Sequence, residues 1–318
     1  MNNTGNNYLP KVAVSCLHLP LYNFDQHDIN EAVDRVIQLS EYSKKSLQKV
    51  VMKVNLRYYW DSSTGETTDP RVVSAVIDSI RGRFGSNVEI LVAEADASAM
   101  RAKHAFRMLG YEKLANNKSV QLVNLSEEES DEHEIDVNGK TIKLSIPSIL
   151  TNVDALINIP KIKFHRLTTI TCSMKNMFGA LHVRRKVQYH PMLNEVIVAV
   201  NKLVKPSLNI ADGLVVLGKH PVKMGLVMAS TSSIALDCAV ATLMGNNPKR
   251  IHHLSLAVRE GLGSFNYQLK GDSLDEASQV FPKINRFLYA SSWALQLRIL
   301  NLYARFSGDI LPPLTRSG

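Results

Sequence analysis

The stretch of residues 158–176 concentrates side chains that can bind an anion. Lys161, Lys163, His165 and Lys175 lie in it, Asn176 ends it, and it contains no aspartate or glutamate. Lysine ammonium groups bind phosphate or carboxylate as point charges, and an imidazole takes up or releases a proton near neutral pH. These residue types at this spacing predict a site for an anionic ligand, in which His165 transfers a proton.

The position of this stretch supports the same interpretation. Residues 153–159 read as a buried strand with one acid, Asp154, near its start, so the polar side chains follow the end of a strand. We expect a helix to begin there. Ligands of open α/β sheets bind beyond the carboxyl ends of the strands. A helix N-terminus would add unpaired N–H groups and a partial positive charge.

Polar side chains recur where other predicted strands end. Lys53 and Asn55 follow one strand, Glu94 and Asp96 another, and Asp212 a third. Because the carboxyl ends of parallel strands share one edge of a sheet, we predict that these residues converge on one cleft. The predicted substrate-binding residues are Lys53, Asn55, Lys161, Lys163, Lys175, Asn176 and His190.

The acidic residues have two functional interpretations. Glu94 or Asp237 is predicted to be a general base, whereas Asp96 and Asp212 are predicted to bind a divalent cation such as Mg²⁺. The competing interpretation is helix capping and turn formation, which is strongest for Asp212 because a glycine follows it. Asp237 lies among apolar residues, and a buried acid needs a partner.

The histidines divide into candidates and surface positions. His190 joins His165 as an acid–base candidate, because imidazole titrates near neutral pH. The pair His252-His253 falls on a predicted surface helix and receives no role. Neither HxxxH nor HExxH occurs, so no histidine metal site is predicted.

The composition is that of a soluble globular enzyme. Of 318 residues, 45% are hydrophobic and 21% charged. Residues 1–150 hold 17 Lys and Arg against 20 Asp and Glu, whereas residues 151–318 hold 20 against 9. A basic half indicates an anionic ligand, nucleic acid or an anionic membrane. Nucleic acid is disfavoured, because the only compact basic run, Arg184-Arg185-Lys186, lacks interleaved aromatic residues.

The cysteines and the missing motifs exclude several classes. Cys16, Cys172 and Cys238 form no CxxC, so neither a disulfide scaffold nor a cysteine-ligated iron–sulfur cluster is expected. GxGxxG, GxxxxGK[ST] and GxSxG are absent, which argues against a standard dinucleotide fold, a P-loop enzyme and an α/β-hydrolase. The N-terminus lacks the apolar core of a signal peptide, and no apolar run reaches ~20 residues, so a cytoplasmic location is expected.

Strand and helix signals alternate along most of the chain. This pattern predicts an α/β fold, with a mostly parallel sheet and helices on both faces. A β-hairpin insertion is predicted at about 126–147, where Asn138-Gly139 follows a solvated acidic run. The α/β domain is predicted over 1–280, and an aromatic-rich helix and tail over 281–318. Predicted strands are 12–18, 50–56, 88–93, 120–125, 153–159, 207–211 and 226–229, and predicted helices are 28–39, 68–83, 97–109, 191–204, 232–244 and 248–260.

The segment 283–306 combines aromatic and aliphatic residues with Arg298 and Arg305, which share one face of a helix. We favour an amphipathic helix that packs on the domain or on a second subunit, which would make a homodimer. The alternative is a helix that lies on a membrane surface, since aromatics with arginines on a polar face suit that role. The protein would then be peripheral to a membrane.

Several motifs together resemble the domain of unknown function 362 family, over roughly residues 50–263. Many members of that family carry an added ferredoxin-like module with iron–sulfur cysteines, which this chain lacks. A more distant similarity is to the nickel-pincer lactate racemase group, whose nickel ligands are not aligned with residues here. The motifs are Lys53-Val-Asn-Leu56, Thr68-Asp-Pro70, Gly110-Tyr111, Asp154, Ile157-Asn-Ile-Pro-Lys-Ile-Lys-Phe-His165, Lys175-Asn-Met-Phe-Gly179, Asp212-Gly213, Leu236-Asp237 and Leu243-Met-Gly245.

Two classes of function remain open from the sequence. The first is an enzyme that acts on a phosphate- or carboxylate-bearing small molecule in the predicted cleft. The second is a non-catalytic protein that binds an anion or a partner, docks on a membrane through its C-terminal helix, or serves redox chemistry with an external iron–sulfur partner.

Overall fold

The computed structural model describes residues 9–17 and 24–284. The strands in these ranges are β1 (Lys11–Cys16), β2 (Lys49–Lys53), β3 (Glu89–Glu94), β4 (Gln121–Asn124), β5 (Ser130–Val137), β6 (Lys140–Pro147), β7 (Ala155–Asn158), β8 (Lys161–His165), β9 (Thr169–Thr171), β10 (Leu208–Leu217), β11 (Pro221–Ser230) and β12 (Gln268–Gly271). The helices are α1 (Gln26–Leu39), α2 (Pro70–Phe84), α3 (Ala102–Met108), α4 (Tyr111–Lys118), α5 (Ser173–Phe178), α6 (Leu193–Leu203), α7 (Ser233–Leu243), α8 (His252–Arg259) and α9 (Asp275–Val280).

A ten-stranded sheet organises the described part of the chain. Its order is β12-β1-β11-β10-β7-β2-β3-β4, and β8 joins β10 on one side and β9 on the other. Strands β2, β3, β4, β7, β8 and β10 pair in parallel, whereas β11 and β9 run against their neighbours. The predicted class, a mostly parallel α/β sheet, is confirmed. The carboxyl ends of β2, β3, β7 and β8 therefore lie along one edge.

Two apolar cores lie on the two faces of this sheet. One contains the buried sides of α1 and α2, and the other those of α5 to α8. Helix α1 packs into its core because apolar residues recur at helical spacing on one side of it. These residues, which are buried, are Ile29, Val33, Val36 and Ile37. Helix α2 starts with Asp69 as its N-cap, whose side chain accepts a hydrogen bond from the N–H of Arg71, and with Pro70 at the first helical position.

The hairpin insertion is formed by β5 and β6, which pair antiparallel from Ser130–Pro147 to Val137–Lys140. Asn138 and Gly139 have φ of 52° and 73°, the left-handed conformation that two-residue hairpin turns require. The acidic run was expected to be solvated chain, but residues 130–134 belong to β5. Their charged side chains occupy exposed positions, so solvation and strand pairing are compatible.

The fold differs from the expectation at several places. Residues 161–165 form strand β8 and not the start of a helix, and α5 begins only at Ser173. Asp212 lies within β10, before an irregularity between Gly213 and Val215, and not in a turn. Gly110, with φ of 81°, separates α3 from a further short helix, α4.

No helix among the described residues is long and apolar enough to cross a membrane. The predicted C-terminal helix lies outside the described residues, apart from residues 283 and 284. Its packing on a second subunit or on a membrane stays a prediction, as does the boundary near residue 280.

Candidate functional site

Strand β8 determines which lysines act together. Side chains alternate between the two faces of a strand, so Lys161, Lys163 and His165 share one side while Ile162 enters the apolar core on the other. Lys161 is fully buried, Lys163 is 2% exposed and His165 is partly buried. The three predicted residues therefore run outward along one strand, from the core towards the carboxyl edge.

The innermost lysine is neutralised by a carboxylate. Lys161 Nζ lies 2.8 Å from Asp212 Oδ2, and both side chains are fully buried. Asp212 also accepts hydrogen bonds from the N–H groups of Asp69 and Leu214. Burial raises the pKa of Asp212, and the Lys161 ammonium opposes this shift. Lys161 and Asp212 thus form one buried ion pair, which joins β8 to β10 and to the start of α2.

Lys53 is neutralised in the same way. Its Nζ lies 2.6 Å from Glu94 Oε1 and 2.6 Å from the carbonyl oxygen of Val54, and the pair is buried. Glu94 also accepts hydrogen bonds from the N–H groups of Leu56 and Ala95. Both oxygens of the predicted base are therefore occupied by donors that join the ends of β2 and β3.

Lys163 belongs to a different environment, dominated by positive charge. Glu66 Oε2 lies 3.2 Å from Lys163 Nζ and 3.4 Å from Arg57 Nη1, so one carboxylate serves two cations. Lys163 also donates a hydrogen bond to the carbonyl oxygen of Glu66. Burial, together with the nearby charges of Arg57 and Lys175, lowers the pKa of Lys163 to about 7, against the effect of Glu66. We call Arg57, Lys163, His165, Lys175 and His190 the cationic cluster.

Lys175 is the least neutralised member of the cationic cluster. It lies on α5, is partly buried, and has neither a hydrogen bond nor an ion pair with any of the residues that the structure describes. Its ammonium group faces the ring of Phe178 at 5.8 Å. Burial and the charge of Arg57 lower the pKa of Lys175 to about 8, against the effect of the Glu66 carboxylate. A cation without a partner, taken partly out of water, is an unfavourable arrangement unless an anion completes it.

One ring nitrogen of His165 is engaged in a hydrogen bond. Its Nδ1 accepts a hydrogen bond from the backbone N–H of Thr168 at 3.2 Å, which assigns the proton to Nε2. Burial and the charges of Lys175, Arg57 and Lys163 hold the pKa of His165 well below its usual range. The imidazole is therefore neutral at physiological pH, and its Nε2–H is a hydrogen-bond donor. The transfer of a proton by His165 stays a prediction.

His190 lies at the exposed rim of the cluster, in a 3₁₀ turn over Lys186–Met192. Burial, although incomplete, and the charges of Lys175 and Arg166 lower its pKa. This electrostatic interaction places His190 near Lys175, so the structure brings these two predicted residues together.

The predicted asparagines form part of a buried chain of side-chain amides. Asn55 Nδ2 donates to Asn176 Oδ1 at 2.7 Å, Asn176 Nδ2 to Asn158 Oδ1 at 2.7 Å, and Asn158 Nδ2 to Asn209 Oδ1 at 2.9 Å. The chain fixes α5, and hence Lys175, against β2, β7 and β10. Asn176 is committed to this network, whereas Asn55 Oδ1 is buried without a partner among the described residues.

The predicted metal ligands are engaged with cations and N–H groups instead. Asp96 accepts hydrogen bonds from Arg101 and from the N–H of Ala102, and Arg184 Nε lies 3.2 Å from its Oδ2. Burial alone would raise the pKa of Asp96, but the Ala102 N–H and the arginines lower it. Within residues 9–17 and 24–284, no group of three or more His, Cys, Asp or Glu could hold a metal ion. Metal binding by Asp96 and Asp212 stays a prediction.

Asp237, the second predicted base, caps a helix. Its two oxygens accept hydrogen bonds from the N–H groups of Ser173 and Met174, at 2.6 and 3.0 Å, in the first turn of α5. Burial raises the pKa of Asp237 to about 7, although these N–H groups oppose the shift. The carboxylate thus helps to hold the helix that carries Lys175, and its role as a base stays a prediction.

Sequence reasoning missed three residues near the cluster. Arg57 and Glu66 lie in the loop between β2 and α2, and only the folded loop brings them to Lys163. His253 was placed on a surface helix, but it is fully buried, and both of its ring nitrogens lack a partner among the described residues. Burial, and then the charge of Lys175, lowers the pKa of His253 to about 3. The apolar spacing of α8 could have identified it as an inward position.

The order and spacing of these motifs are those of a known family. The family model described as Domain of unknown function (DUF362) matches residues 50–242. The chain belongs to this family. The part matched to DUF362 contains the whole cationic cluster, both buried ion pairs and the chain of asparagines, whereas His253 lies beyond it.

Individual proteins similar to this DUF362 protein either match a shorter part of the chain or have a low sequence identity. A thylakoid-associated protein of Synechocystis sp. is 29% identical over 124 residues, which are 35% of this chain and 39% of that protein. A solved Thermotoga maritima protein is 11% identical, with a TM-score of 0.42 over 74% of this chain and 59% of that one. The lactate racemase apoprotein from Thermoanaerobacterium thermosaccharolyticum is 15% identical, with a TM-score of 0.41 over 75% and 57%. The chain spans less than two thirds of the length of each.

Proposed function

We propose that this protein is an enzyme that binds a small phosphate- or carboxylate-bearing substrate at the cationic cluster. The observation that carries the proposal is Lys175, an ammonium group that is partly removed from water and has no hydrogen-bond or ion-pair partner among the described residues. The neighbouring cations make an anion the natural complement, because Glu66 is already shared by Arg57 and Lys163.

The roles follow from the state of each group at neutral pH. Lys175 and Arg57 hold the anionic group, and the neutral imidazole of His165 donates a hydrogen bond from Nε2. Lys163, with its pKa lowered to about 7, exists as both ammonium and amine and is suited to move a proton. His190 lies where the substrate would enter from solvent.

Binding can be tested with inorganic phosphate and with small carboxylates by calorimetric titration. Lys175→Met and Lys163→Met should each weaken binding by about 10- to 100-fold, which corresponds to the loss of a charge-assisted hydrogen bond. Lys103→Met is the matched control, since Lys103 is an exposed lysine on α3. Full anion affinity in both cluster variants would refute the proposal.

A second candidate function is anion binding without catalysis. It is favoured by the carboxylates: Glu94, Asp212 and Asp237 are all committed to structural partners and offer no free base. A substitution of Lys163 distinguishes the two functions. If Lys163→Arg keeps the affinity for the anion and abolishes turnover of a substrate found by metabolite screening, the enzyme is supported. Anion binding by the wild-type protein, with no turnover of any screened metabolite, supports binding alone.

A further inference from the structure

The carboxylate of Glu66 lies among the cations of the cationic cluster. Its Oε2 lies 3.2 Å from Lys163 Nζ and 3.4 Å from Arg57 Nη1. Burial lowers the pKa of Lys175 to about 8, and the charge of Glu66 opposes this shift. One carboxylate of the chain itself therefore interacts with three cations that the proposed function assigns to the substrate.

The loop that carries Glu66 is fixed at its two ends. The N–H of Thr68 donates to the carbonyl oxygen of Asn55 at 2.9 Å, and the N–H of Asn55 donates to the hydroxyl oxygen of Thr68 at 3.1 Å. These two bonds close residues 56–67 into an Ω loop, a type of surface loop that is frequently functional. The path of the main chain therefore does not depend on the contacts of the Glu66 carboxylate.

Gly65 positions Glu66 next to strand β8. Its φ is 72°, and a Cβ at this position would lie 2.9 Å from the carbonyl carbon of Val216 in β10. Glycine permits both the left-handed backbone and this close approach. The next residue of β10, Leu217, is in register with Lys163 of β8. The contact of Gly65 with β10 thus brings Glu66 to Lys163.

The side chain of Glu66 can leave this position while the loop stays in place. Lys163 also donates a hydrogen bond to the backbone carbonyl oxygen of Glu66, and that bond does not involve the carboxylate. The Glu66 side chain is 20% exposed, so rotation about its own bonds turns it towards solvent. Arg57 and Lys163 would then have no ion pair with any described residue.

An anion from solution would find a better set of contacts there than Glu66 has. It would meet Arg57 and Lys163 and also Lys175, with which Glu66 forms no ion pair in the described part of the chain. Two anions at one position repel each other, so the ligand and the Glu66 carboxylate exclude one another. Because Glu66 is attached to the chain, its effective concentration is high, and a ligand needs these additional contacts to replace it.

We propose that the Glu66 side chain occupies the position of the substrate's anionic group, and that the substrate displaces it on binding. This inference rests on the proposed function and adds the regulation of the same site, since Glu66 acts as an internal competitor. The phosphate or carboxylate group of the substrate binds between Arg57, Lys163 and Lys175, and Glu66 turns to solvent.

Titration calorimetry with sulfate on the full chain tests the displacement. Burial lowers the pKa of Lys163 to about 7 against the effect of Glu66, so loss of the carboxylate lowers this pKa further. The titrations are therefore made at about pH 6. Glu66→Gln keeps the shape of the side chain and removes its charge. Sulfate should bind to this variant at least about tenfold more tightly than to the wild type.

Two further variants separate occupation of the site from a general loss of negative charge. Glu66→Asp keeps the charge, but its shorter side chain no longer reaches both cations, so sulfate affinity should rise about threefold or more. Asp61→Asn is the matched control, because Asp61 is an exposed acid of the same loop, and asparagine retains its cap on the turn Ser62–Thr64. Its sulfate affinity should stay within about twofold of the wild type.

The displacement is refuted if Glu66→Gln or Glu66→Asp binds sulfate no more tightly than the wild type, or if Asp61→Asn gains as much affinity as Glu66→Gln. If Lys175→Met still weakens sulfate binding in that case, the proposed function stands and only the displacement fails. Absence of saturable binding below about 10 mM in both the wild type and Glu66→Gln would overturn both proposals.

Discussion

The lysines at the carboxyl edge of the sheet fall into two groups that differ in their partners. Lys53 and Lys161 are buried, and each meets a carboxylate at 2.6 to 2.8 Å. Lys163 shares one carboxylate with Arg57, and Lys175 has no such partner among the described residues. Burial lowers the pKa of Lys163 to about 7 and that of Lys175 to about 8.

This difference separates structural lysines from candidates for function. A paired lysine has its charge balanced by a carboxylate and joins neighbouring strands, so ligand binding by Lys53 and Lys161 stays a prediction. An unpaired lysine reduces stability, and such residues are characteristic of sites whose missing partner is a ligand. The cationic cluster therefore contains only part of the predicted set of site residues. The buried ion pairs Lys53–Glu94 and Lys161–Asp212 join neighbouring strands of the sheet.

Removal of a paired lysine should have the largest effect. Lys161→Met leaves Asp212 as an uncompensated buried charge, so we expect the free energy of unfolding to fall by about 3–5 kcal/mol in urea denaturation. The double variant Lys161→Met with Asp212→Leu removes both charges and should recover most of that loss. A single variant as stable as the wild type would show that the pair is not structural.

Removal of the unpaired lysine should act in the opposite direction. Lys175→Met replaces a partly desolvated ammonium by an apolar chain of similar length, so the free energy of unfolding at pH 7 should rise by about 1–2 kcal/mol. The unfolded chain binds more protons than the folded one between pH 8 and the usual lysine pKa. Wild-type stability should therefore rise with pH across this window. The rise should be smaller in the variant, in which Lys163 and Lys186, with pKa values lowered to about 7 and about 8, still contribute. A destabilised variant would mean that Lys175 has a structural partner.

Anion affinity should depend on pH. Lys163 and Lys175 carry charge below their pKa values of about 7 and about 8 and lose it above them. Affinity for sulfate, whose own charge is constant in this range, should fall roughly tenfold or more from about pH 6 to about pH 9. In Lys175→Met the remaining decrease should be centred near pH 7. A flat profile in the wild type would separate the two lysines from the ligand.

The smallest effect is expected at Lys186, which is intermediate between the two groups. It is 8% exposed, burial lowers its pKa to about 8, and it donates to the carbonyl oxygen of Asp96 at 2.6 Å. Lys186→Met loses a hydrogen bond and also removes a desolvated charge, so the free energy of unfolding should change by less than about 1 kcal/mol. A loss as large as that of Lys161→Met would place Lys186 with the paired lysines.

The sequence predicted the fold more completely than the site. Hydrophobic periodicity located α1, and Asn138-Gly139 located the hairpin, because these signals are local. The expected helix after β7 was wrong, since the alternation of Lys161, Ile162 and Lys163 has the period of a strand. That period was visible in the sequence, and it would have placed the lysines on one face.

Residue types and order alone determined the α/β class, the family and the presence of several lysines beside the strand ends. Only the tertiary structure decided which lysine meets an acid. Glu94 follows Lys53 by 41 positions, Asp212 follows Lys161 by 51, and Glu66 precedes Lys163 by 97. Such pairings depend on strand order, register and the path of the loop between β2 and α2. Charge counting could therefore indicate the cationic cluster only in outline, because burial and pairing, set at long range, decide which charges remain available.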